Sequence, residues 1–207
     1  MIGADSGFDG YEAVMTTVVF SFDPACPWTW RTSRWLVRVA PARGLEIEWR
    51  PMSLAILNEG HIAEDHRARI ETSRHALRLV AALAADERQD EIGRFYRAVG
   101  ERVHDQGEEL EPTLLKWSAE SVGLIDLVGC FDDPSLDAAV RAATDAAVAD
   151  AGPDVGSPVL HVDGVARGLH GPIIAEGIGD DDALALWDAI AVLLPMPQFF
   201  EVKRGRR

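Results

Sequence analysis

The sequence predicts an α/β fold interrupted by an all-helical insertion, and three patterns along the chain support this. A strand–helix–strand pattern occupies residues 14–50, amphipathic helices occupy residues 51–135, and a helix–strand–strand–helix pattern occupies residues 136–194. The first and third segments predict one discontinuous α/β unit in the order βαβ…αββα, with the helical segment inserted between its halves. Residues 1–13 and 195–207 are expected to be terminal arms.

The first unit begins with a strand that has the composition of a central one. The run Thr17–Phe22 is β-branched and aromatic, and it is apolar on both faces apart from one serine. The pair Cys26–Pro27 then predicts a helix start, because proline is favoured at the first helical position. Pro41 and Gly44 are expected to end this helix. The alternation of residues 45–50 predicts a second strand, and a helical crossover makes the two strands parallel.

The inserted segment has helical rather than strand periodicity. Apolar residues recur there at intervals of three and four positions, and no alternation of period two is present. The residues of the two clearest helical faces are Leu77, Val80, Ala81 and Ala84, and then Ile92, Phe95, Tyr96 and Val99.

The second half of the α/β unit starts with a capped helix. Asp133–Pro134 supplies an N-cap acid and a proline at the first position. Val159–Val162 and Val165–Arg167 then predict a hairpin that is closed by a two-residue turn, Asp163–Gly164. The acids Asp180–Asp182 are expected at the start of the last helix, where its dipole favours negative charge.

Composition and charge exclude several classes of protein. The chain is 47% hydrophobic and 26% charged, which is ordinary for a globular protein. Its 20 basic and 34 acidic residues give 20 − 34 = −14, and this charge disfavours binding to nucleic acid or to anionic lipid. The longest apolar stretch, Ala183–Met196, is too short to span a bilayer, and no signal peptide is recognisable. We therefore expect a soluble, cytoplasmic protein.

Two cysteines, Cys26 and Cys130, are present, and their spacing fits neither a disulfide framework nor a zinc site. No metal site is therefore expected. Cys26 lies at a strand-to-helix junction, where unpaired amides and the helix dipole favour a thiolate and lower the thiol pKa. Thr29, one turn further on, can donate a hydrogen bond to that thiolate. The alternative is a buried, inert cysteine, and Cys130 is expected to be a packed core thiol.

Several segments resemble one known family. They are Phe22–Trp30 with Thr32–Trp35, Met52–Glu59, His170–Pro172 and Phe199–Arg204. Together they resemble actinobacterial DsbA-like proteins of the mycothiol-dependent nitroreductase type, over residues from about 17 to 205. The resemblance implies a thioredoxin-like fold with a helical insertion, a homodimer, and thiol redox chemistry with mycothiol as cosubstrate. It also implies that the protein has no tightly bound cofactor and that its substrates are small disulfides or electrophiles.

The resemblance also assigns residues around Cys26. In a thioredoxin-like fold, Ser157–Pro158 occupies the place of a cis-proline loop that faces the nucleophilic cysteine and pairs with a bound thiol. Pro27 and Trp28 follow the cysteine on the first helical turn. Trp28 is expected to form a wall of the substrate pocket, although it also fits ordinary core packing.

Two polar residues of the insertion are further candidates for binding the substrate or the thiol. Asn58 follows an apolar run and can bind a polar group of a ligand, but a loop or cap role fits equally well. His104 follows the amphipathic helix that ends near Val99 and can reach the thiolate as a proton donor, or it can be an ordinary surface histidine.

One departure from the family pattern affects the predicted mechanism. Redox-active members carry C-x-x-C, and here the second cysteine is replaced by Thr29. We therefore expect a monothiol oxidoreductase in which mycothiol releases the mixed disulfide on Cys26. Two alternatives stay open at this point. One is an enzyme like kappa-class glutathione transferases and hydroxychromene carboxylate isomerases, which hold a thiol cofactor non-covalently. The other is a binding protein without turnover.

Overall fold

The structure is a computed structural model that describes residues 15–175 and 177–205. The predicted arm of residues 1–13 lies outside this part of the chain. The strands are β1 Thr16–Phe22, β2 Leu45–Pro51, β3 Val159–Val162 and β4 Leu169–His170. The helices are α1 Pro27–Arg43, α2 Leu54–Leu57, α3 Glu64–Ala85, α4 Gln89–Gly100, α5 Pro112–Ser121, α6 Asp137–Ala151 and α7 Asp180–Leu193. A π-helical segment, Glu101–Asp105, continues α4, and 3-10 segments span Ile125–Asp132 and Pro134–Leu136.

The four described strands form one sheet in the order β2-β1-β3-β4. β1 and β2 are parallel and pair from Thr16 with Leu45 to Phe22 with Pro51, which confirms the predicted βαβ unit. β3 is antiparallel to β1, and β4 is antiparallel to β3. The end of β1 is buried on both faces, as its composition predicts. This end of β1 delivers the chain to the start of α1.

The prediction that Pro41 ends α1 is wrong, since the helix continues to Arg43. A proline this close to the C-terminal end removes only one intrahelical hydrogen bond. Its side chain lies on the exposed face, while the opposite face, with Trp35 and Val39, stays buried. The helix ends at Gly44, which adopts a left-handed conformation with φ +60° and donates its N–H to the carbonyl of Ala40.

The second strand of the hairpin is also misplaced by the sequence pattern. Gly164 has φ +80° and Val165 donates its N–H to Val162, so a turn does form at Asp163–Gly164. The chain does not pair again until β4, and residues 166–167 are exposed. The reason is a contact outside the hairpin: the amide of Gly168 donates to the carbonyl of Asp150 on α6.

The remaining helix predictions agree with the structure. Asp133 accepts a hydrogen bond from the amide of Ser135 and caps the 3-10 turn that leads into α6. The three acids of residues 180–182 occupy the first turn of α7, whose N-cap is Gly179. Between β2 and α6 the described chain is helical, with buried faces on α3 and α4 that match the predicted ones in most positions.

Aromatic side chains join the inserted helices to the sheet. Tyr96 of α4 stacks on Phe22 of β1 with ring centroids 4.1 Å apart, and it meets Trp49 of β2 and Trp30 of α1 edge to face. All four rings belong to one buried cluster. The helical segment and the sheet therefore share a core, and the boundaries predicted for the separate domains stay a prediction. No helix among the described residues combines the length and apolar composition needed to cross a bilayer.

Candidate active site around Cys26

Cys26 is the N-cap residue of α1, as the sequence predicts. Its backbone is extended, its own N–H donates to the carbonyl of Asp23, and its carbonyl accepts from the N–H of Trp30. These contacts close a tight turn between β1 and α1. Cys26 is 7% exposed, so only a small part of its surface is open to a partner.

The loop before β3 lies directly opposite this cysteine. The peptide bond between Ser157 and Pro158 is cis, and both residues are buried. The Cys26 thiol donates to the carbonyl oxygen of Ser157, with an Sγ–O distance of 3.6 Å. The hydroxyls of Ser157 and Thr29 lie 2.9 Å apart. The structure therefore brings together four of the residues selected from the sequence.

Burial has the largest influence on the Cys26 thiol and raises its pKa above the ordinary value. The direction is opposite to the one that the helix N-terminus alone predicts. Hydrogen bonds from the hydroxyl and amide of Thr29 and from the amide of Trp28 stabilise the thiolate and act against burial, while the charge of Asp23 adds to it. The resting group is therefore a thiol, and the donors around it favour the thiolate once it forms.

Asp23 is a part of the site that sequence reasoning missed. Its carboxylate is 1% exposed and accepts hydrogen bonds from the amides of Ala25 at 2.8 Å and Leu54 at 2.7 Å, and from the Ser73 hydroxyl. Burial raises the pKa of this carboxyl, and the three hydrogen bonds and the charge of Arg69 lower it. Asp23 thus joins the cysteine loop to α2 and to the inserted helix α3.

Arg69 on α3 is a second residue that no local pattern indicated. Its Nε donates to the carbonyl of Ala25 at 3.0 Å, and its guanidinium lies 3.3 Å from Nδ1 of His104. Nε2 of His104 donates to the carbonyl of Pro24 at 2.9 Å. Burial, with a contribution from Arg69, lowers the pKa of His104 to about 4, so the ring is neutral at pH 7. Nε2 therefore holds the loop and Nδ1 accepts from Arg69, so both ring nitrogens are engaged away from the sulfur of Cys26.

The other predicted binding residues differ in burial and in their contacts. Pro27 is exposed at the first position of α1, and Trp28 is half-buried with the Arg31 guanidinium 5.4 Å from its ring centroid. Trp28 therefore lies at the rim of the site rather than on the buried stripe of the helix. Asn58 is exposed at the end of α2, and its side-chain amide donates to the carbonyl of Leu54, which is a capping role.

Cys130 makes its contacts in a different part of the molecule. Both cysteines are free, and Cys130 lies half-buried in a 3-10 segment, where it packs against the main core. Burial and the charge of Asp133 raise the pKa of its thiol. In the described part of the chain, no group of histidine, cysteine and acidic side chains is arranged to hold a metal ion. Around Cys26 the described residues supply one thiol and several hydrogen-bond donors.

Comparisons with known proteins identify the family of the chain and a relative. Residues 25–204 match the family model described as Rv2466c-like, mycothiol-dependent nitroreductase Rv2466c. The uncharacterized protein Rv2286c of Mycobacterium tuberculosis is 30% identical over 195 residues, which cover 93% of this chain and 83% of that protein.

Solved structures establish the fold. The cytosolic disulfide reductase DsbM from Pseudomonas aeruginosa, solved with GSH, has a TM-score of 0.54 at 17% identity, covering 86% of this chain and 100% of its own. The oxidoreductase DsbA from Xylella fastidiosa has a TM-score of 0.52 at 19% identity, covering 87% of this chain and 86% of its own. The predicted thioredoxin-like fold is confirmed. The chain belongs to the Rv2466c-like family of mycothiol-dependent nitroreductases, a family of oxidoreductases with the DsbA-like fold.

Proposed function

We propose that the protein is a cytoplasmic monothiol oxidoreductase in which Cys26 is the nucleophile and mycothiol is the cosubstrate. One observation carries the proposal: the Cys26 sulfur faces the carbonyl of Ser157 across the cis-proline loop, while a hydroxyl, that of Thr29, stands where a dithiol enzyme has its second sulfur. A cysteine in this setting can form a mixed disulfide but has no neighbouring thiol to resolve it.

The first step forms that mixed disulfide. The Cys26 thiol loses its proton, and the thiolate attacks the mycothiol sulfur of a disulfide between mycothiol and a substrate thiol. The new bond joins Cys26 to mycothiol, and the bond that breaks releases the substrate as a thiolate, which takes up a proton. The substrate disulfide is thereby reduced.

The second step regenerates the enzyme without any further protein thiol. A second mycothiol, as its thiolate, attacks the mycothiol sulfur of the mixed disulfide and displaces the Cys26 thiolate. The product is the symmetrical mycothiol disulfide, so one free mycothiol is oxidised for each mixed disulfide reduced, and the other sulfur of the product was already in disulfide form in the substrate. The Thr29 hydroxyl and the amides of Trp28 and Thr29 stabilise the departing thiolate.

Reduction of a nitro compound is a second candidate function, and the family match favours it. The balanced reaction consumes two mycothiols, converts the nitro group to a nitroso group, and releases water and the mycothiol disulfide. Cys26 would pass through the same mixed disulfide and the same release by mycothiol. A homodimer stays a prediction that the resemblance implies.

Intact-protein mass spectrometry tests the proposal. The protein is incubated with mycothiol disulfide, and we expect one mycothiol adduct that localises to Cys26 and disappears on addition of free mycothiol. Cys26→Ser should show no adduct, and Cys130→Ser, the matched control, should behave as the wild type. An adduct on Cys130 in place of Cys26 would contradict the proposal. Mycothiol bound without a covalent bond would favour the transferase or isomerase alternative. The absence of both a covalent adduct and non-covalent binding would favour the alternative of a binding protein without turnover.

A further inference from the structure

Three polar groups form a chain of hydrogen bonds beside the Cys26 sulfur. The amide of Asp23 donates to the Ser157 hydroxyl at 3.2 Å, and this hydroxyl lies 2.9 Å from that of Thr29. Thr29 is the third residue of α1, one turn after Cys26, and its hydroxyl acts on the thiol as a hydrogen-bond donor that lowers the pKa. Thr29 is fully buried and Ser157 is 5% exposed, so bulk water does not compete for these groups.

The direction of the central hydrogen bond follows from counting donors and acceptors. A serine hydroxyl has one proton to donate. Ser157 already accepts from the amide of Asp23, and in the described part of the chain its hydroxyl has one other partner, the hydroxyl of Thr29. If Thr29 donated to Ser157, the Ser157 proton would be buried without an acceptor, which is costly. The Ser157 proton therefore points at Thr29.

We propose that Ser157 is a positioning residue, which orients the Thr29 hydroxyl so that its proton points at the sulfur of Cys26. The amide of Asp23 fixes Ser157, Ser157 fixes Thr29, and Thr29 donates to the sulfur. This inference rests on the proposed function only in taking Cys26 as the reacting thiol. It gives the side chain of Ser157 a role separate from that of its carbonyl, which faces the same sulfur.

This chain of hydrogen bonds acts at the atom of Cys26 on which negative charge develops. In the release step the bond between Cys26 and the thiol partner breaks, and the electron pair stays on Cys26. A hydroxyl that already points at this atom stabilises the charge without reorganising. Without Ser157, the Thr29 hydroxyl can rotate and loses part of this effect. Such rotation changes the ionisation of the free enzyme as well as the rate of release.

The experiment measures the pKa of Cys26 in the free enzyme from thiolate absorbance against pH, with Cys26→Ser as the blank. Thr29→Val removes the Thr29 hydroxyl, and Thr29→Ser keeps a hydroxyl at this position. Ser157→Ala removes the Ser157 hydroxyl and leaves that of Thr29 in place. The matched control is Ser33→Ala, which deletes another buried hydroxyl of α1, one that donates to the carbonyl of Trp30. Urea unfolding verifies that each variant is folded.

We expect Thr29→Val to raise the pKa of Cys26 by about one unit, because the thiolate loses a hydrogen-bond donor. Ser157→Ala should raise it by at least half as much, and the double variant by no more than Thr29→Val alone. Thr29→Ser and Ser33→Ala should leave it within about 0.3 units. This pattern of pKa shifts supports the proposed hydrogen-bond chain even if the protein proves not to use mycothiol.

Three outcomes would overturn the inference. Ser157→Ala could leave the pKa unchanged while Thr29→Val raises it, which means that Thr29 is oriented without Ser157. The two effects could add fully in the double variant, which means that the hydroxyls act independently. Ser33→Ala could raise the pKa as much as Ser157→Ala, which means that general loosening of α1 is responsible.

Discussion

Gly100 packs directly against the indole of Trp30, so closely that a Cβ atom at position 100 would lie 2.2 Å from two of the ring carbons. The indole is 2% exposed, and its Nε1 donates to the carboxylate of Asp105 at 2.8 Å. It also stacks on His104. The contact therefore joins the core to the histidine that holds the Cys26 loop.

We expect Gly100→Ala to lower the free energy of unfolding by about 1–3 kcal/mol, because overpacking a buried site forces the ring or the helix to move. Urea unfolding measures the loss, and tryptophan fluorescence reports displacement of the ring. The matched control is Gly129→Ala, since a Cβ at position 129 would meet nothing within 4 Å. An unchanged stability for Gly100→Ala would show that the α4 backbone yields without cost.

The neutral state of His104 predicts a pH dependence of stability. Burial lowers its pKa from 6.5 to about 4 in the folded protein. The contribution to stability is complete above about pH 6.5, where the unfolded histidine is also neutral, and it is lost as the pH falls through about 4. At 1.36 kcal/mol per pKa unit, the difference amounts to at most about 3 kcal/mol.

His104→Gln tests this prediction, because glutamine can still donate to the carbonyl of Pro24 but does not titrate. Urea unfolding at several values between pH 7 and pH 4 should show wild-type stability falling more steeply than that of His104→Gln. His66→Gln, at an exposed position of α3, should follow the wild type. Parallel curves for the wild type and His104→Gln would mean that His104 protonates freely in the folded state.

Asp23 predicts a pH dependence of the opposite sign. Burial raises the pKa of its carboxyl in the folded state, so the stability that it contributes is present below about pH 3.9 and is lost as the pH rises through the raised value. Asp23→Asn, which does not titrate there, should therefore gain stability relative to the wild type between pH 4 and pH 7. Its absolute stability should be lower, because the amide group cannot accept from both Ala25 and Leu54.

The same variant should lower the pKa of Cys26, since the carboxylate charge that opposes the thiolate is removed. Thiolate absorbance measures this effect. Ser73→Ala is the control, because it removes a hydrogen bond to Asp23 but keeps the charge. A pKa that rises in Asp23→Asn would show that the loop geometry, rather than the charge, governs the thiol.

Local patterns predicted the parts of the site that are close in sequence. The alternation after Gly44, the proline at position 27 and the strand before Asp23 are sufficient to place Cys26 at a helix N-cap, and the structure confirms this position. The second strand of the hairpin was misplaced, because the amide of Gly168 bonds to the carbonyl of Asp150, a residue outside the hairpin, and the strand forms only beyond this contact. A local pattern contains no information about such a contact.

The prediction that the pKa of Cys26 is lowered was wrong for a related reason. The helix N-terminus is a local feature, and it does supply the expected donors from Trp28 and Thr29. Burial depends on the packing of the whole fold, and it outweighs them. Arg69 and Ser73 were missed because they reach the loop from α3, more than 40 positions away, as two polar residues of an amphipathic helix.

Thr29→Cys tests the monothiol character of the site directly. Thr29 is the third residue of α1 and lies one turn after the N-cap Cys26, so a sulfur introduced there is on the correct face of α1 to approach the Cys26 sulfur. We expect a mild oxidant to convert the pair to an internal disulfide, seen as a loss of two hydrogens by intact mass spectrometry. With mycothiol disulfide, the introduced thiol should attack the Cys26 sulfur and release mycothiol, so the adduct should not accumulate.

Thr29→Ser is the matched control and should keep the adduct, because a hydroxyl cannot resolve a disulfide. An adduct that persists in Thr29→Cys as it does in the wild type would mean that the first turn of α1 holds the two sulfurs apart, and the replacement of the second cysteine would then not explain the single-thiol chemistry.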